Sequence, residues 1–327
     1  MLASGIIDVL TAARLRIRSL REQADEQAGF SCASRRLRAV SVPHGKAGDA
    51  MKNQRDKIEL WKDAGLPGGL ELLRASCFDH RYPAHFHDEF VIAAFARGAQ
   101  RYRVSRHEDI AGAGMVMVIA PGIVHAGEAA QRDQGWDYCA FYPSLSLMMQ
   151  IADDTLGGQG EVDFGRNLLR HDPLLAQQML RASAVMAMSD DFLEKECAIY
   201  EVLGNLISRY AKRAGRTSAA PSVRADVQRA IEFLNEHYSQ QVSVLDVAAS
   251  VGLSEFHFMR TFRAKTGISV HRYLTQIRLS RGKALLAQGV SAAQAASSVG
   301  FFDQSHFIKY FRTHFGITPG SFASGCR

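Results

Sequence analysis

One sequence pattern occurs twice in residues 243–319, and this duplication most strongly constrains the fold. The segment 243–252 returns as 291–300, at an offset of 48 residues. After one inserted residue the similarity continues at an offset of 49, so that Phe258 corresponds to Phe307. Each copy predicts a short helix, a glycine-containing turn and a second helix with basic residues on its exposed face, which is the pattern of a helix-turn-helix. Two such units suggest a chain that contacts two adjacent segments of a DNA major groove without a dimer.

Local signals define the helices of each copy. Ser243 can cap a helix through its hydroxyl, and Asp246 three residues later makes the start close to a capping box. Gly252 is expected to end that helix because a turn with positive φ favours glycine, and Ser254 is expected to cap the next one. Between the copies, residues 270–287 form a continuous helical pattern. This helix would fix the spacing of the two units, which is about 34 Å if both enter the major groove.

The charge of the chain is concentrated in the duplicated region. Residues 224–327 hold 12 of the 39 basic and 6 of the 33 acidic residues, an excess of +6. The remaining 27 basic and 27 acidic residues cancel, so the whole formal charge of +6 lies in this region. A localised basic excess is typical of a polyanion-binding surface, although a merely basic solvated surface is the alternative.

Composition and length favour a two-domain protein of the cytoplasm. The 327 residues are 47% hydrophobic, and no apolar run reaches the roughly 18 residues of a membrane span. The five cysteines are scattered without a CxxC motif, which fits reduced thiols rather than disulfides or structural zinc. Residues 1–56 are rich in arginine, alanine and serine with little apolar periodicity, and we predict a disordered extension there.

The middle of the chain predicts a β-barrel followed by helices, which makes the fold class α+β. Short strand-like runs separated by glycine and proline place a barrel at 57–165. Helical spacing of apolar residues predicts an interface or dimerisation segment at 166–212, and a small polar stretch predicts a linker at 213–223. The all-α domain with both helix-turn-helix units then occupies 224–327. The strands are expected at 71–78, 90–96, 100–105, 115–120 and 138–142.

The duplicated region resembles the AraC-type bacterial transcription regulators over about one hundred contiguous residues. The resemblance rests on segments such as residues 252–263, 300–307 and 316–319. It implies a seven-helix DNA-binding domain with base contacts from one set of exposed side chains and phosphate contacts from another. The base-contacting positions would be Phe256, Met259, Arg260, Gln304, Ser305, Ile308 and Lys309, and the phosphate-contacting ones Arg263, Arg272 and Arg312.

Some positions leave alternatives open. Arg260 could instead form an ion pair on the helix surface, and Phe256 and Met259 could pack in the core, as aromatic stripes usually do. Ala292, Ala293 and Ala295 replace the branched apolar residues usual in the second copy, so its first helix is expected to pack thinly.

The barrel segment resembles a cupin, and more closely the effector-binding arm of the same regulators. His85 and His87 are two residues apart, so that on a strand both point to one face, and His125 would join them from another strand. Glu89 lies two residues after His87, whereas metal-binding cupins place this carboxylate about four residues on. We therefore predict an effector pocket and assign no metal ligand. The candidate lining residues are His85, His87, Tyr102, His125, Trp136 and Tyr138.

The sequence thus predicts a DNA-binding transcription regulator that responds to a small molecule. No catalytic residue and no cofactor are expected, and the partners are double-stranded DNA and the effector, with RNA polymerase and a second copy of the chain as further candidates. Two enzymatic alternatives are a metal-dependent cupin enzyme with an auxiliary DNA-binding module and a DNA-repair methyltransferase. The second would need a clustered cysteine–zinc site, which the cysteine positions do not provide.

Overall fold

Antiparallel strands build the first half of the folded chain. The structure, a computed structural model, describes residues 56–104, 107–157, 160–214 and 225–326. The expected disorder before residue 56 and the expected linker beyond residue 214 lie outside these residues. The strands are β1 (Lys57–Asp63), β2 (Leu70–Cys77), β3 (Tyr82–His85), β4 (Val91–Val104), β5 (His107–Gly112), β6 (Met115–Ile119), β7 (His125–Ala129), β8 (Trp136–Tyr142), β9 (Glu161–Asp163), β10 (Leu169–His171) and β11 (Lys212–Ala214).

Two sheet layers share the long strand β4. Its first half pairs with β6 and β8, and its second half pairs with β5 and β7. The sequence predicted two strands here, which was wrong, because Gly98 continues the strand with a φ of +64° and a register shift against β8. A side chain at Gly98 would collide with the carbonyl oxygen of Gly135. This close approach of two backbones bends β4 from one layer into the other.

Both faces of the larger layer are buried. Neighbouring residues on β2 belong to different cores, with Leu72 facing the helices and Leu73 facing the barrel interior. On β4, Ile92 likewise faces the helices and Ala93 faces the barrel interior. This period of two follows from the alternation of side chains along a strand. It explains why these strands are nearly continuous apolar runs in the sequence.

Three helices cover the outer face of the larger layer. They are α1 (Leu145–Leu156), α2 (Pro173–Met188) and α3 (Phe192–Tyr210). The buried Lys195 of α3 donates to Asp63 of β1 at 3.0 Å and ties the helices to the sheet edge. No helix among the described residues is long and apolar enough to cross a membrane.

The segment boundaries inferred from the sequence differ from the elements found. Helix α1 lies inside the predicted barrel segment, and β10 lies inside the predicted helical segment, where it pairs with β6. Residues 213–214, predicted as the start of a linker, belong to β11 and pair with β9. Strands of three residues carry too few side chains to show a period, so their pairing partners decide their structure.

The remaining helices form the duplicated domain. They are α4 (Ala225–His237), α5 (Val244–Ser250), α6 (Glu255–Thr266), α7 (Val270–Ala287), α8 (Ala292–Ser298), α9 (Gln304–Phe315) and α10 (Pro319–Gly325). The predicted capping box of α5 is present, with both reciprocal bonds between Ser243 and Asp246. The helix predicted over 270–287 has those bounds. Ser254 is the N-cap residue of α6, but its hydroxyl makes no capping bond, contrary to the sequence prediction.

The two helix-turn-helix units bury equivalent phenylalanines. Phe258 and Phe262 are fully buried in the first unit, as Phe307 and Phe311 are in the second. Helix α8 buries Ala295 and Ala296 against α7, so its small side chains allow close packing rather than leaving it loose. The first pair belongs to the core of its own unit, and the second pair belongs to a core that continues into the barrel. The faces opposite these phenylalanines remain available to solvent.

The bend at Gly98 gives a stability prediction. Gly98→Ala should lower the thermal midpoint substantially, because the new Cβ meets backbone and also requires a left-handed conformation, which alone costs about 1–2 kcal/mol. Gly122→Ala is the matched control, since Gly122 has a φ of +75° and no atom within 4 Å of an added Cβ. Calorimetry of both variants isolates the close approach. Equal midpoints for the two variants would contradict this explanation of the bend.

Candidate functional site

A small cavity lies between the two layers of the barrel. Its volume is about 50 Å³, which is far below the roughly 300–1,000 Å³ of ordinary ligand pockets. Five of the six residues predicted to line an effector pocket line it, namely His85, His87, Tyr102, His125 and Tyr138. The sixth, Trp136, is fully buried in the barrel core and stacks on Tyr138 instead. Trp136 pairs with Gly98 at the bend of β4.

Three histidines converge at one end of this cavity. His85 ends β3, His125 begins the paired strand β7, and His87 follows two residues after His85. One ligand atom from each of the three rings lies within 4.8 Å of the others. The Nδ1 atom of His85 lies 2.6 Å from the carbonyl oxygen of Pro83, and that of His125 lies 2.9 Å from the carbonyl oxygen of Ile123. A carbonyl only accepts, so both Nδ1 atoms carry the proton and both Nε2 atoms keep a free lone pair.

Burial keeps these imidazoles neutral. It lowers the pKa of His85 and His87 well below the usual value, with neighbouring imidazoles and Lys283 acting in the same direction. Burial also lowers the pKa of His125 to about 4. At neutral pH the cluster therefore presents uncharged nitrogen lone pairs and N–H donors rather than cations.

The DNA-binding domain closes the mouth of the cavity. His314 and Phe315, at the end of α9, line the cavity beside the barrel residues. The ring centroids of His314 and His85 are 5.0 Å apart, and burial lowers the pKa of His314 to about 3. His314 could not be assigned to this site from the sequence, because the residue lies on the buried side of a helix in the other domain.

Polar contacts hold the two domains together around this mouth. The Nζ atom of Lys283 on α7 donates to Glu71 on β2 at 2.6 Å, and these side chains are only 14% and 12% exposed. Gln276 of α7 donates to the carbonyl oxygen of Phe86, whose ring stacks on that of Tyr273 at 4.7 Å. Helix α7 thus connects both helix-turn-helix units to the rim of the barrel.

The second helix of the first unit presents its predicted DNA-facing residues to solvent. Phe256 is 74% exposed and Met259 is 43% exposed, so neither packs in the core. Arg260 and Arg263 are exposed on the same helix, while Phe258 and Phe262 point inward. Large exposed apolar side chains are costly on a solvent surface without a partner, and they suit contact with the methyl groups of thymine.

Helix α9 presents the corresponding residues of the second unit. Gln304, Ser305, Lys309 and Arg312 are exposed, whereas Ile308 is half-buried. Arg272, at the start of α7, is also exposed. Phe302 was not among the predicted contact residues, and it is 94% exposed just before the N-cap residue of α9. Phe302 is the residue at which the repeat offset changes from 48 to 49, and that insertion was a signal that could have identified it.

Comparisons with known proteins agree with both halves of this arrangement. Residues 67–203 match the model of an AraC-like ligand binding domain, and residues 247–325 match a helix-turn-helix domain. The uncharacterized HTH-type transcriptional regulator YbfI of Bacillus subtilis is 29% identical, over 72% of this chain and 85% of the relative. The HTH-type transcriptional activator RhaS of Klebsiella pneumoniae is 22% identical, over 75% of this chain and 88% of that relative. The crystal structure of an apo ToxT variant from Vibrio cholerae has a TM-score of 0.52 at 12% identity, covering 84% of this chain and 99% of that one.

These findings define a transcription regulator with an N-terminal ligand-binding domain and a C-terminal DNA-binding domain. The chain belongs to the AraC-type family of such regulators. Its fold class is the one predicted from the sequence, a barrel with helices followed by an all-helical domain. The alternative of a cupin enzyme is not favoured.

The bridge between Glu71 and Lys283 gives a prediction about domain docking. Lys283→Met should lower the thermal midpoint, because removal of one partner of a buried pair costs about 3–5 kcal/mol and this pair is nearly buried. The double variant Lys283→Met/Glu71→Leu should recover most of the loss, since no unpaired carboxylate remains. Differential scanning calorimetry measures both. Lys265→Met, at an exposed lysine of the same domain, is the control, and a single variant as stable as this control would refute the role of the bridge.

Proposed function

We propose that the two helix-turn-helix units read adjacent segments of one DNA major groove, with α6 and α9 as the recognition helices. The observation that carries this proposal is the exposure of the same kind of face on both helices, opposite equivalent buried phenylalanines. The localised basic excess of the domain supports a polyanionic partner. Arg260 and Lys309 supply base-edge donors, while Arg263, Arg272 and Arg312 bind phosphate.

The effector is proposed to bind where the small cavity now lies. Buried phenols and imidazoles around apolar residues suit a molecule with several hydrogen-bonding groups and an apolar part. A cavity of about 50 Å³ has no room for such a molecule while His314 and Phe315 close it. Effector binding therefore requires the DNA-binding domain to move away from the barrel mouth. An effector that binds only the open arrangement shifts the population toward it, which couples binding to DNA recognition.

A homodimer is proposed to form through the helices on the outer face of the barrel. Helices α2 and α3 expose Leu174 (67%), Met188 (81%) and Leu193 (61%), which is unusual for a surface without a partner. Contact with RNA polymerase is proposed as the route from DNA binding to transcription. The chain acts in the cytoplasm, where its DNA target lies, and without enzymatic activity of its own.

Two arginines of the recognition helices should respond differently to substitution. Arg260→Ala should cost about 1–3 kcal/mol at the preferred site and relax the preference at one base position, because a base-edge contact is lost. Arg312→Ala should weaken binding evenly across sequences and reduce the salt dependence, because a phosphate contact is lost. Binding-site selection followed by affinity measurements at several salt concentrations measures both effects.

Arg229→Ala serves as the control for these two variants. Arg229 is exposed on α4 in the same domain, so its removal lowers the charge without touching either recognition helix. Base preference should be unchanged in this control. An Arg260→Ala variant that selects the same sequences as the control would rule out base reading by Arg260.

The effector proposal predicts different behaviour for two adjacent alanines. Ala93 lines the cavity, whereas Ala94 faces the helices on the other side of the same strand. Ala93→Leu should abolish the rise in thermal midpoint that a screened effector gives the wild type, because the new side chain fills the cavity. Ala94→Leu carries a similar overpacking cost of about 1–3 kcal/mol and should keep the effector response. Loss of the response in Ala94→Leu alone would place the effector elsewhere.

A further inference from the structure

The turn before α9 presents an aromatic side chain that does not pack in the core. Phe302 is 94% exposed, more than any other large apolar side chain among the described residues. We propose that Phe302 contacts the methyl group of a thymine in the major groove and makes thymine the preferred base at one position of the DNA site. This inference rests on the proposed function, because it requires α9 to enter the groove as a recognition helix.

The apolar position at the start of α9 is already filled by another phenylalanine. An apolar residue before an N-cap often packs against the fourth residue of the helix, which in α9 is Phe307. Phe301 makes this contact, since its ring centroid lies 5.2 Å from that of Phe307 and the residue is only 9% exposed. Phe302 directly precedes the N-cap residue Asp303 but points to solvent. The start of the helix is therefore stabilised without Phe302.

The first helix-turn-helix unit has no residue equivalent to Phe302. There Leu253 directly precedes the N-cap residue Ser254 and packs against the core that contains Phe258. The second unit has one additional residue at this point, where the offset of the repeat changes from 48 to 49. The inserted residue thus adds an exposed apolar side chain beside the recognition helix and leaves the core contact to Phe301.

The two recognition helices carry their exposed apolar residues in different places. Phe256, which is 74% exposed on α6, corresponds at the offset of 49 to Ser305 on α9. Met259 corresponds to Ile308, which is half-buried. Phe302 precedes Ser305 by three residues and supplies a large exposed apolar group that serine does not. Both units therefore present a phenylalanine near the start of the recognition helix, the second one from the preceding turn.

Hydrogen bonds hold the backbone on both sides of Phe302. The amide of Phe301 donates to the carbonyl oxygen of Ala296 at 3.0 Å. The amide of His306 donates to the carboxylate of Asp303 at 2.7 Å, which caps α9. A side chain on an ordered backbone loses less conformational freedom on binding, so that more of its contact energy is available for recognition.

The position of Phe302 favours a base edge as its partner. The N-terminal residues of a recognition helix contact base edges in the major groove. The thymine methyl group is the apolar group displayed there, and phenylalanine is one of the side chains that contact it. The neighbouring exposed residues Gln304 and Lys309 are a hydrogen-bonding amide and a cation, which suit DNA better than an apolar protein surface.

Binding-site selection with the full chain, followed by affinity measurements on the selected duplex, tests this contact. The wild type should select thymine at a position at which Phe302→Ala has no preference. Replacement of that thymine by deoxyuridine, which lacks the methyl group, should weaken wild-type binding about four-fold, the loss expected from one buried methyl group. The same replacement should leave the affinity of Phe302→Ala unchanged. Circular dichroism establishes that each variant is folded.

Leu245→Ala is the control, because Leu245 is a 60% exposed apolar residue in the first helix of the first unit. Its thymine preference and its response to deoxyuridine should equal those of the wild type. A Phe302→Ala variant with the same base preferences and the same deoxyuridine response as this control would refute the thymine contact and leave the exposed ring to a protein partner. A wild type that selects no sequence would instead overturn the proposed function, and the contact with it.

Discussion

The closure of the barrel by the DNA-binding domain is the constraint on which the rest of the structure depends. The end of α9 places His314 and Phe315 over the cavity, and the Glu71–Lys283 pair holds α7 against the rim. The exposed side chains proposed to contact DNA lie on the same helix α9. One helix therefore carries the proposed DNA-binding surface along its exposed side and part of the cavity wall at its end. The cavity has a volume of about 50 Å³, and that helix end forms part of its wall.

This arrangement gives a physical route for coupling between the two domains. The pKa values of the four imidazoles are lowered because His85 and His314 are buried and His87 and His125 are half-buried, so opening the mouth would expose neutral polar rings to more water. A ligand that bridges the rings favours the closed form, and one that fills the barrel favours the open form. The two kinds of ligand would then have opposite effects on the freedom of the second helix-turn-helix unit. Helix α7 contacts helices of both units and so connects them physically.

Local and periodic signals made the DNA-binding domain predictable from the sequence. The repeat located both units, Ser243 and Asp246 identified a capping box, and the apolar pattern gave the bounds of α7. The barrel was predictable as a class but not in its pairing, because the bend at Gly98 depends on the approach of Gly135, which is distant in sequence. Trp136 was assigned to the pocket wall on residue type alone, and only the three-dimensional packing places it in the core.

Contacts between the domains left no signal in a single sequence. Glu71 and Lys283 are 212 residues apart. In the sequence, neither residue can be distinguished from a charged residue exposed to solvent. His314 lies on a helix whose periodicity indicates burial, without indicating what it is buried against. The barrel histidines were recognised by their spacing, but the fourth ring that faces them comes from a different domain. The site is therefore a property of the docked molecule rather than of either domain alone.

Chemical modification of histidines with diethyl pyrocarbonate, read out by mass spectrometry on the unliganded full chain, tests the closed arrangement most directly. We expect rapid modification of His107, His257 and His271, which are exposed, and strong protection of His85 and His314, which are buried. The exposed histidines serve as internal references within the same molecule. Modification of His314 as fast as that of His257 would contradict the docking of the DNA-binding domain on the barrel mouth.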